Sequence, residues 1–251
     1  WIAKGDKSNP VLISGQKNNL GGGIYIKNDK KNIFDHVKFE NLEGFPIFNK
    51  NLRENKKIRN SDNAYTLTGA INFYDTNVEI SNSNFQNIKS EDMVNIVDSI
   101  FKIENTKFNN SFSDALDIDF SHGTLNKINI LNSGNDCLDF SGTSTDIKDS
   151  KFTQCGDKAI SVGENSKINI FNSVIKNSNL GIASKDGSYV YAKNISIEDS
   201  HIGVASYIKK NSYTHPTLKM LKFDFNNVDH KILQDRESKI FFNSKLLFGS
   251  N

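Results

Sequence analysis

Ser113-Asp114-Ala115-Leu116-Asp117-Ile118-Asp119 is followed, twenty-two residues on, by Asn135-Asp136-Cys137-Leu138-Asp139-Phe140-Ser141, and after another twenty-two by Asp157-Lys158-Ala159-Ile160-Ser161-Val162-Gly163. Within each run the second and fourth residues of the apolar core alternate with polar ones, the period of two that belongs to a strand with one face buried. Outward from these three runs the same pattern recurs at Ala70-Ile71-Asn72-Phe73, Met93-Val94-Asn95-Ile96, Gly181-Ile182-Ala183-Ser184 and Gly203-Val204-Ala205-Ser206. The seven first residues are spaced 23, 22, 22, 22, 22 and 22. A second series ends in Phe85, Phe108, Ile130, Phe152, Ile175 and Ile197, again in steps of 22 or 23. Such a repeat is too short for a strand, a crossover helix and a return strand, which need about 30 residues. It suffices for one turn of a coil made of two or three short strands.

The expected fold is therefore all-β: a single right-handed parallel β-helix, a solenoid whose like residues stack about 4.8 Å apart. Regular rungs are expected over residues 64–210. The runs at Val11-Leu12-Ile13, Gly23-Ile24-Tyr25-Ile26 and His36-Val37-Lys38-Phe39 fit two earlier rungs, and residues 49–63 read as a charged insertion. After Pro216 the period dissolves, so residues 211–251 are expected to add strands and a cap over the open edge. The whole chain reads as one domain.

Composition narrows the function classes. With 251 residues, 36% hydrophobic, and 31 Lys+Arg against 29 Asp+Glu, the chain folds and lacks the cationic excess of a general nucleic-acid binder. No apolar stretch is long enough for a membrane span, and no basic-then-apolar signal segment opens the chain. It starts at Trp1 rather than Met and reads as a processed fragment. Cys137 and Cys155 are too few for a disulfide framework and lack metal-ligand spacing, which predicts two buried thiols.

With the inward positions fixed, the outward ones form columns. The third residue of each run gives Asn72, Asn95, Asp117, Asp139, Ser161, Ala183 and Ala205; the residue before each run gives Asp92, Asp114, Asp136, Lys158, Leu180 and Ile202; the fifth position gives Tyr74, Val97, Asp119, Ser141, Gly163, Lys185 and Tyr207. Carboxylates thus concentrate on two adjacent rungs, with Lys158 beside them. Stacking Asp117 on Asp139 is costly unless a proton is retained, a cation binds or hydrogen bonds absorb the charge. A retained proton would make a general acid of the kind glycoside hydrolysis uses. A bound cation would be a hard one, calcium, with Asp117 and Asp139 as ligands. The third route is a structural Asx ladder at the turns.

The rung pattern resembles the right-handed parallel β-helix (pectin-lyase-like) superfamily, whose members are mostly polysaccharide lyases, hydrolases and epimerases, with phage tailspikes and surface adhesins. Ser113 to Ile118, Asn135 to Leu138 and Cys155 to Gly163 resemble the polygalacturonase series N-T-D-G-x-D, D-D-C and G-H-G. That resemblance implies Asp114 and Asp136 as catalytic carboxylates, and the column reading adds Asp117, Asp139 and Lys158 to the catalytic candidates. The series is degenerate: Asn135 replaces the first carboxylate of D-D-C, Asp157 stands at the histidine, and no arginine accompanies Lys185. Pectate-lyase-like chemistry is likewise short of a base, since Arg53, Arg59 and Arg236 lie outside the regular coil and only Lys158 or Lys185 could serve. Gly181 to Ser188 and Ala205 to Lys210 resemble bacterial β-helix regions found alone or beside spore-coat-protein-H-like domains, which implies a secreted, surface or envelope setting.

Around that face, Asp119, Lys185, Asp186, Tyr207, Lys209 and Lys210 are the candidate substrate-binding residues, the lysines offering a cationic spot for an acidic glycan or simply a solvated surface. Tyr74, Tyr207 and Tyr213 could stack on a sugar or pack in the core or cap. The five histidines are dispersed with no metal spacing, and Gly21-Gly22-Gly23 reads as a turn. Two functions remain: a non-catalytic carbohydrate-binding or structural module, and a lyase, hydrolase or epimerase acting on an acidic polysaccharide. No nucleic-acid partner is expected.

Overall fold

The computed structural model describes residues 1–15, 21–45 and 67–247. All regular structure in them is strand, wound into a parallel β-helix of about nine turns, as the repeat spacing predicts. Each turn has three sides. On the first, Ile24–Lys27, Gly69–Tyr74, Asp92–Val97, Asp114–Asp119, Leu138–Ser141, Lys158–Gly163 and Leu180–Lys185 pair successively, parallel and in register. The second side begins with Ile2–Lys4, Lys31–Asp35, Asn77–Ser81, Ile100–Glu104, His122–Asn126 and Ser144–Lys148. The third begins with Val11–Ser14, Val37–Glu40, Asn84–Ile88, Lys107–Ser111, Asn129–Ser133 and Lys151–Cys155.

The core is the inward columns. Ile71, Val94, Leu116, Leu138, Ile160, Ile182 and Val204 are all fully buried, each worth about 1.5–3 kcal/mol of removal from water. Phe39, Phe85 and Phe108 stack with ring centroids 4.6 and 4.8 Å apart and planes within 10° of parallel, the rung spacing imposed on aromatic rings. The corners are set by residues that tolerate a left-handed backbone. Asn87, Asn110 and Asn132 all have φ between 53° and 61°, and each side-chain amide donates to the one before: Asn110 Nδ2 to Asn87 Oδ1 and Asn132 Nδ2 to Asn110 Oδ1, both at 2.9 Å. At another corner hydroxyls play the part. The Ser99, Ser121, Thr143 and Ser166 hydroxyls each accept the N–H of the matching residue one turn earlier.

Two expectations are corrected. Cys137 and Cys155 are not thiols but a disulfide, with Cα atoms 5.4 Å apart. Cys155 stacks on Ser133, and Cys137 follows Ser133 around the corner, so a separation of 18 residues brings the two together just short of a full turn. Closing such a loop restricts the unfolded chain by about 3 kcal/mol. Gly21-Gly22-Gly23 is not a turn: Gly21–Gly22 is a two-residue strand parallel to Leu42–Gly44. The charged segment 49–63 lies outside the described residues.

Toward the C-terminus, Thr217–Gln234 runs parallel to Tyr189–Tyr207, with Tyr189 opposite Thr217 and Ser206 opposite Gln234. Lys239–Phe242 adds the next strand, and Lys245–Leu247 turns back antiparallel on it. Among the described residues no helix is long and apolar enough to cross a membrane.

Candidate functional site

The outward side of the first sheet carries the carboxylates, and the structure separates them into two kinds. Asp114 and Asp136 stand where the chain enters the strand, close to the backbone of the next turn. Asp114 Oδ1 accepts the Asp136 N–H at 2.8 Å and the Asn135 side-chain amide at 2.7 Å; Asp136 Oδ1 accepts the Lys158 N–H at 2.9 Å. These two aspartates tie successive turns together. Asp117, Asp119 and Asp139 stand mid-strand or at its end, where no backbone donor of the next turn is within their reach. Asp117 Oδ2 accepts the Asn95 amide at 2.9 Å, while Asp139 Oδ1 accepts its own neighbour's N–H, from Phe140, at 3.1 Å.

Burial raises the carboxyls of this face, and the hydrogen bonds they accept only partly oppose it. Desolvation, with the charge of Asp139 behind it, pushes the Asp119 carboxyl up to about 6. Asp117 is raised well above the usual carboxylate range by burial first and then by the charges of Asp92, Asp119 and Asp139. Asp114 rises to about 6, burial outweighing the hydrogen bonds it accepts. Asp136 is also raised by burial, against the pull of Lys158. Sequence reasoning placed Asp92 in the same column as Asp114 and Asp136 but gave it no role. It is 3% exposed, its Oδ2 has no partner, and burial pushes its carboxyl up to about 8. Asn95, also unassigned, is 1% exposed and leaves its Oδ1 unpartnered after donating to Asp117. Column membership was the signal for both.

The lysines are committed to carboxylates or hydroxyls. Lys158 Nζ lies 3.4 Å from Asp136 Oδ1 and also pairs with Asp157. Desolvation works to lower its pKa, but the Asp157 hydrogen bond and both carboxylate charges outweigh it and hold the ammonium above its ordinary value. Lys185 is buried; it donates to Ser161 Oγ at 2.7 Å and lies 4.0 Å from Asp139 Oδ1. Lys210 pairs with Glu164, which also accepts the Ser141 hydroxyl at 2.7 Å. Asp186 is fully buried, its Oδ1 accepting the backbone N–H groups of Lys209 and Lys210 at 2.7 Å each, so it shapes the loop after Tyr207 rather than facing outward.

Tyr74 is buried at the edge of the acidic face, while Tyr207 stands farther along, where Leu180, Ile202, Ala205 and Leu233 continue the outward side as an open apolar groove of ~850 Å3. Tyr213 lies in the loop beyond. The histidines are less dispersed than their sequence positions suggest: His201 and His230 meet edge to face at 5.3 Å, and His201 Nδ1 lies 2.9 Å from Asp229 Oδ2. They meet because the turn there is 28 residues long. Among the described residues no group of three or more His, Cys, Asp or Glu side chains is arranged to hold a metal ion, Asp117 and Asp139 included.

No family model and no curated protein sequence matches the chain. Solved structures share its fold. Tailspike protein 2 of an Escherichia coli O157:H7 bacteriophage superposes with a TM-score of 0.60 at 10% identity, over 93% of this chain and 36% of the tailspike. Its enzymatically active domain gives 0.53 at 10% identity, over 92% of this chain and 40% of that one. An alginate lyase from a Paenibacillus species gives 0.52 at 12% identity, over 93% and 85%. The chain thus spans little more than a third of the tailspike's length. At these identities the likeness is one of fold alone, the parallel β-helix.

Proposed function

We propose that this β-helix is a polysaccharide-binding module of a secreted or cell-surface protein, and that its ligand lies on the outward face of Asp114–Asp119 and Leu138–Ser141. One observation carries the reading: Asp117, Asp119 and Asp139 stack on an outward face without the backbone donors that occupy Asp114 and Asp136. Asp117 and Asp119, both raised by burial, offer a donor and an acceptor each when protonated, the equipment for sugar hydroxyls. The disulfide fits an oxidising compartment. The solved structures of like fold include a tailspike and an alginate lyase, which agrees with a glycan partner.

The charge balance favours a neutral glycan over an acidic one. Lys158, Lys185 and Lys210 already face Asp136, Asp157, Ser161, Asp139 and Glu164, which leaves no cation among them to receive a uronate. An acidic chain laid on this face would add charge to a row that already retains protons to limit it.

A second reading, hydrolysis, is favoured by one specific feature. Asp119, pushed up to about 6 by burial and then by the charge of Asp139, is a carboxyl of the kind that general acid catalysis requires. Lyase chemistry with Lys158 as base is disfavoured, because its ion pairs stabilise the protonated ammonium.

The test is size-exclusion of neutral and acidic polysaccharides incubated with the protein, with Asp117→Ala/Asp139→Ala and with Asp119→Asn. Binding without catalysis predicts co-elution with a neutral glycan, unshortened, lost in the double alanine variant. Shortening by the unmodified protein that disappears in Asp119→Asn would establish the hydrolase. Neither retention nor shortening of any polysaccharide would sink both readings.

A further inference from the structure

The corner that ends each strand of the first side is left-handed in every regular turn: Asp75, Asp98, Phe120, Gly142, Glu164 and Asp186 have φ between 47° and 62°. Aspartate and glycine suit that conformation; a phenylalanine there carries steric strain. Burial does not offset it, because Phe120 is 62% exposed. Its ring lies over the next turn's corner, which is held open by a glycine: a Cβ on Gly142 would come within 2.6 Å of Phe120 Cδ1. A strained, exposed aromatic over a cleared corner is not explained by packing.

Its neighbourhood is polar and specific. Asp119 precedes it, and Ser141 and Glu164, hydrogen-bonded to each other at 2.7 Å, stand on the following turns. At the other end of the same strand, Phe112 is 60% exposed, and these two are the exposed phenylalanines among the described residues. They bracket Asp114–Asp119, about 20 Å of extended chain. Aromatic faces at both ends of a row of carboxyls match a chain of sugar rings, apolar on their C–H faces and hydroxylated at their rims.

We infer that Phe120, with Phe112 opposite, is a stacking platform that seats an oligosaccharide of several residues across Asp114–Asp119. This inference rests on the glycan-binding reading and goes beyond it in fixing the direction and minimum length of the ligand. The strain at Phe120 is then retained for binding.

Affinity electrophoresis in gels containing dextran, a soluble β-glucan, mannan, alginate or polygalacturonate tests it, with thermal unfolding of each variant in parallel. Phe120→Asn relieves the left-handed strain, so its melting temperature is expected to hold or rise by a few degrees while the dissociation constant weakens about tenfold. Phe120→Trp retains binding, and a disaccharide competes far less well than a longer oligomer of the same sugar. Unchanged retardation of Phe120→Asn, in a gel where Asp117→Ala/Asp139→Ala abolishes it, would overturn the platform and leave the binding face standing. A fall in melting temperature with unchanged retardation would make Phe120 a packing residue. No retardation of the unmodified protein in any gel would overturn the face and the platform together.

Discussion

The corner at Asn87, Asn110 and Asn132 and the face at Asn95, Asp117 and Asp139 both stack Asx side chains one turn apart, yet they end in different chemical states. An amide carries a donor and an acceptor, so a column of asparagines closes on itself, each Nδ2 finding the previous Oδ1 at 2.9 Å. A column of aspartates has acceptors only. Asn95 can donate to Asp117, but Asp117 as a carboxylate has nothing to pass on to Asp139, and the chain of bonds stops there. The first column is complete without a ligand. The second needs a proton or a partner, and burial with the neighbouring carboxylate charges accordingly pushes Asp117 well above the usual carboxylate range.

The largest expected effect comes from the aspartate that breaks this pattern. Asp136 is buried, accepts the Lys158 N–H and pairs with the Lys158 ammonium, so Asp136→Ala strands the Lys158 N–H and leaves the ammonium with Asp157 alone. Urea unfolding should show a loss of about 3 kcal/mol. A smaller loss follows from cutting the amide column: Asn110→Ala removes two side-chain bonds and puts a Cβ-bearing residue without compensation at φ 57°, for about 2 kcal/mol, of which Asn110→Gly should recover part.

The comparison also sets a pH dependence. Carboxyls raised in the folded state bind more protons than in the unfolded chain between pH ~4 and their folded pKa values, so their contribution to stability falls as pH rises through that window. For Asp114 and Asp119 the decline is centred below about 6, and for Asp92 it extends to about 8. Asp157 and Glu164 are held below their ordinary values, where hydrogen bonds from Lys158 and Lys210 outweigh desolvation, and the stability they contribute is lost as pH falls below ~4.5. The melting temperature should peak on the acid side of neutrality, and Asp92→Asn should flatten the fall toward pH 8. The smallest change is Asp117→Asn, which extends the amide column by one residue: stability unchanged or higher by up to about 1 kcal/mol. A loss of several kcal/mol would show that the ionised carboxylate itself holds the turn.

The inward columns were legible because a 22-residue period puts aliphatics at the same place in every turn, and register follows from burial alone. The acidic face was legible as a cluster for the same reason. The division of labour within it was not: Asp114 and Asp117 are three residues apart, and only the backbone path decides that one meets the next turn's N–H while the other does not. The disulfide was hidden because its 18-residue spacing falls off the period that organised everything else. Lys185 and Asp186 read as a solvated pair, yet the left-handed corner folds Asp186 under the following loop and turns Lys185 toward Ser161. Phe120 belonged to no apolar column and drew no notice until the backbone showed the conformation it occupies.

The most direct test of the contrast is a carboxyl titration followed by carbon NMR on protein labelled at aspartate. The account predicts raised titrations for four aspartates, near pH 6 or above for Asp92, Asp114 and Asp119 and above the usual carboxylate range for Asp117, with only those of Asp117 and Asp119 lost in Asp117→Asn/Asp119→Asn and the corner asparagine amides unaffected over the same range. All aspartates titrating below about 4.5 would mean that the face is as well satisfied as the asparagine column, and that the carboxyls stacked there hold no protons for a ligand or a reaction.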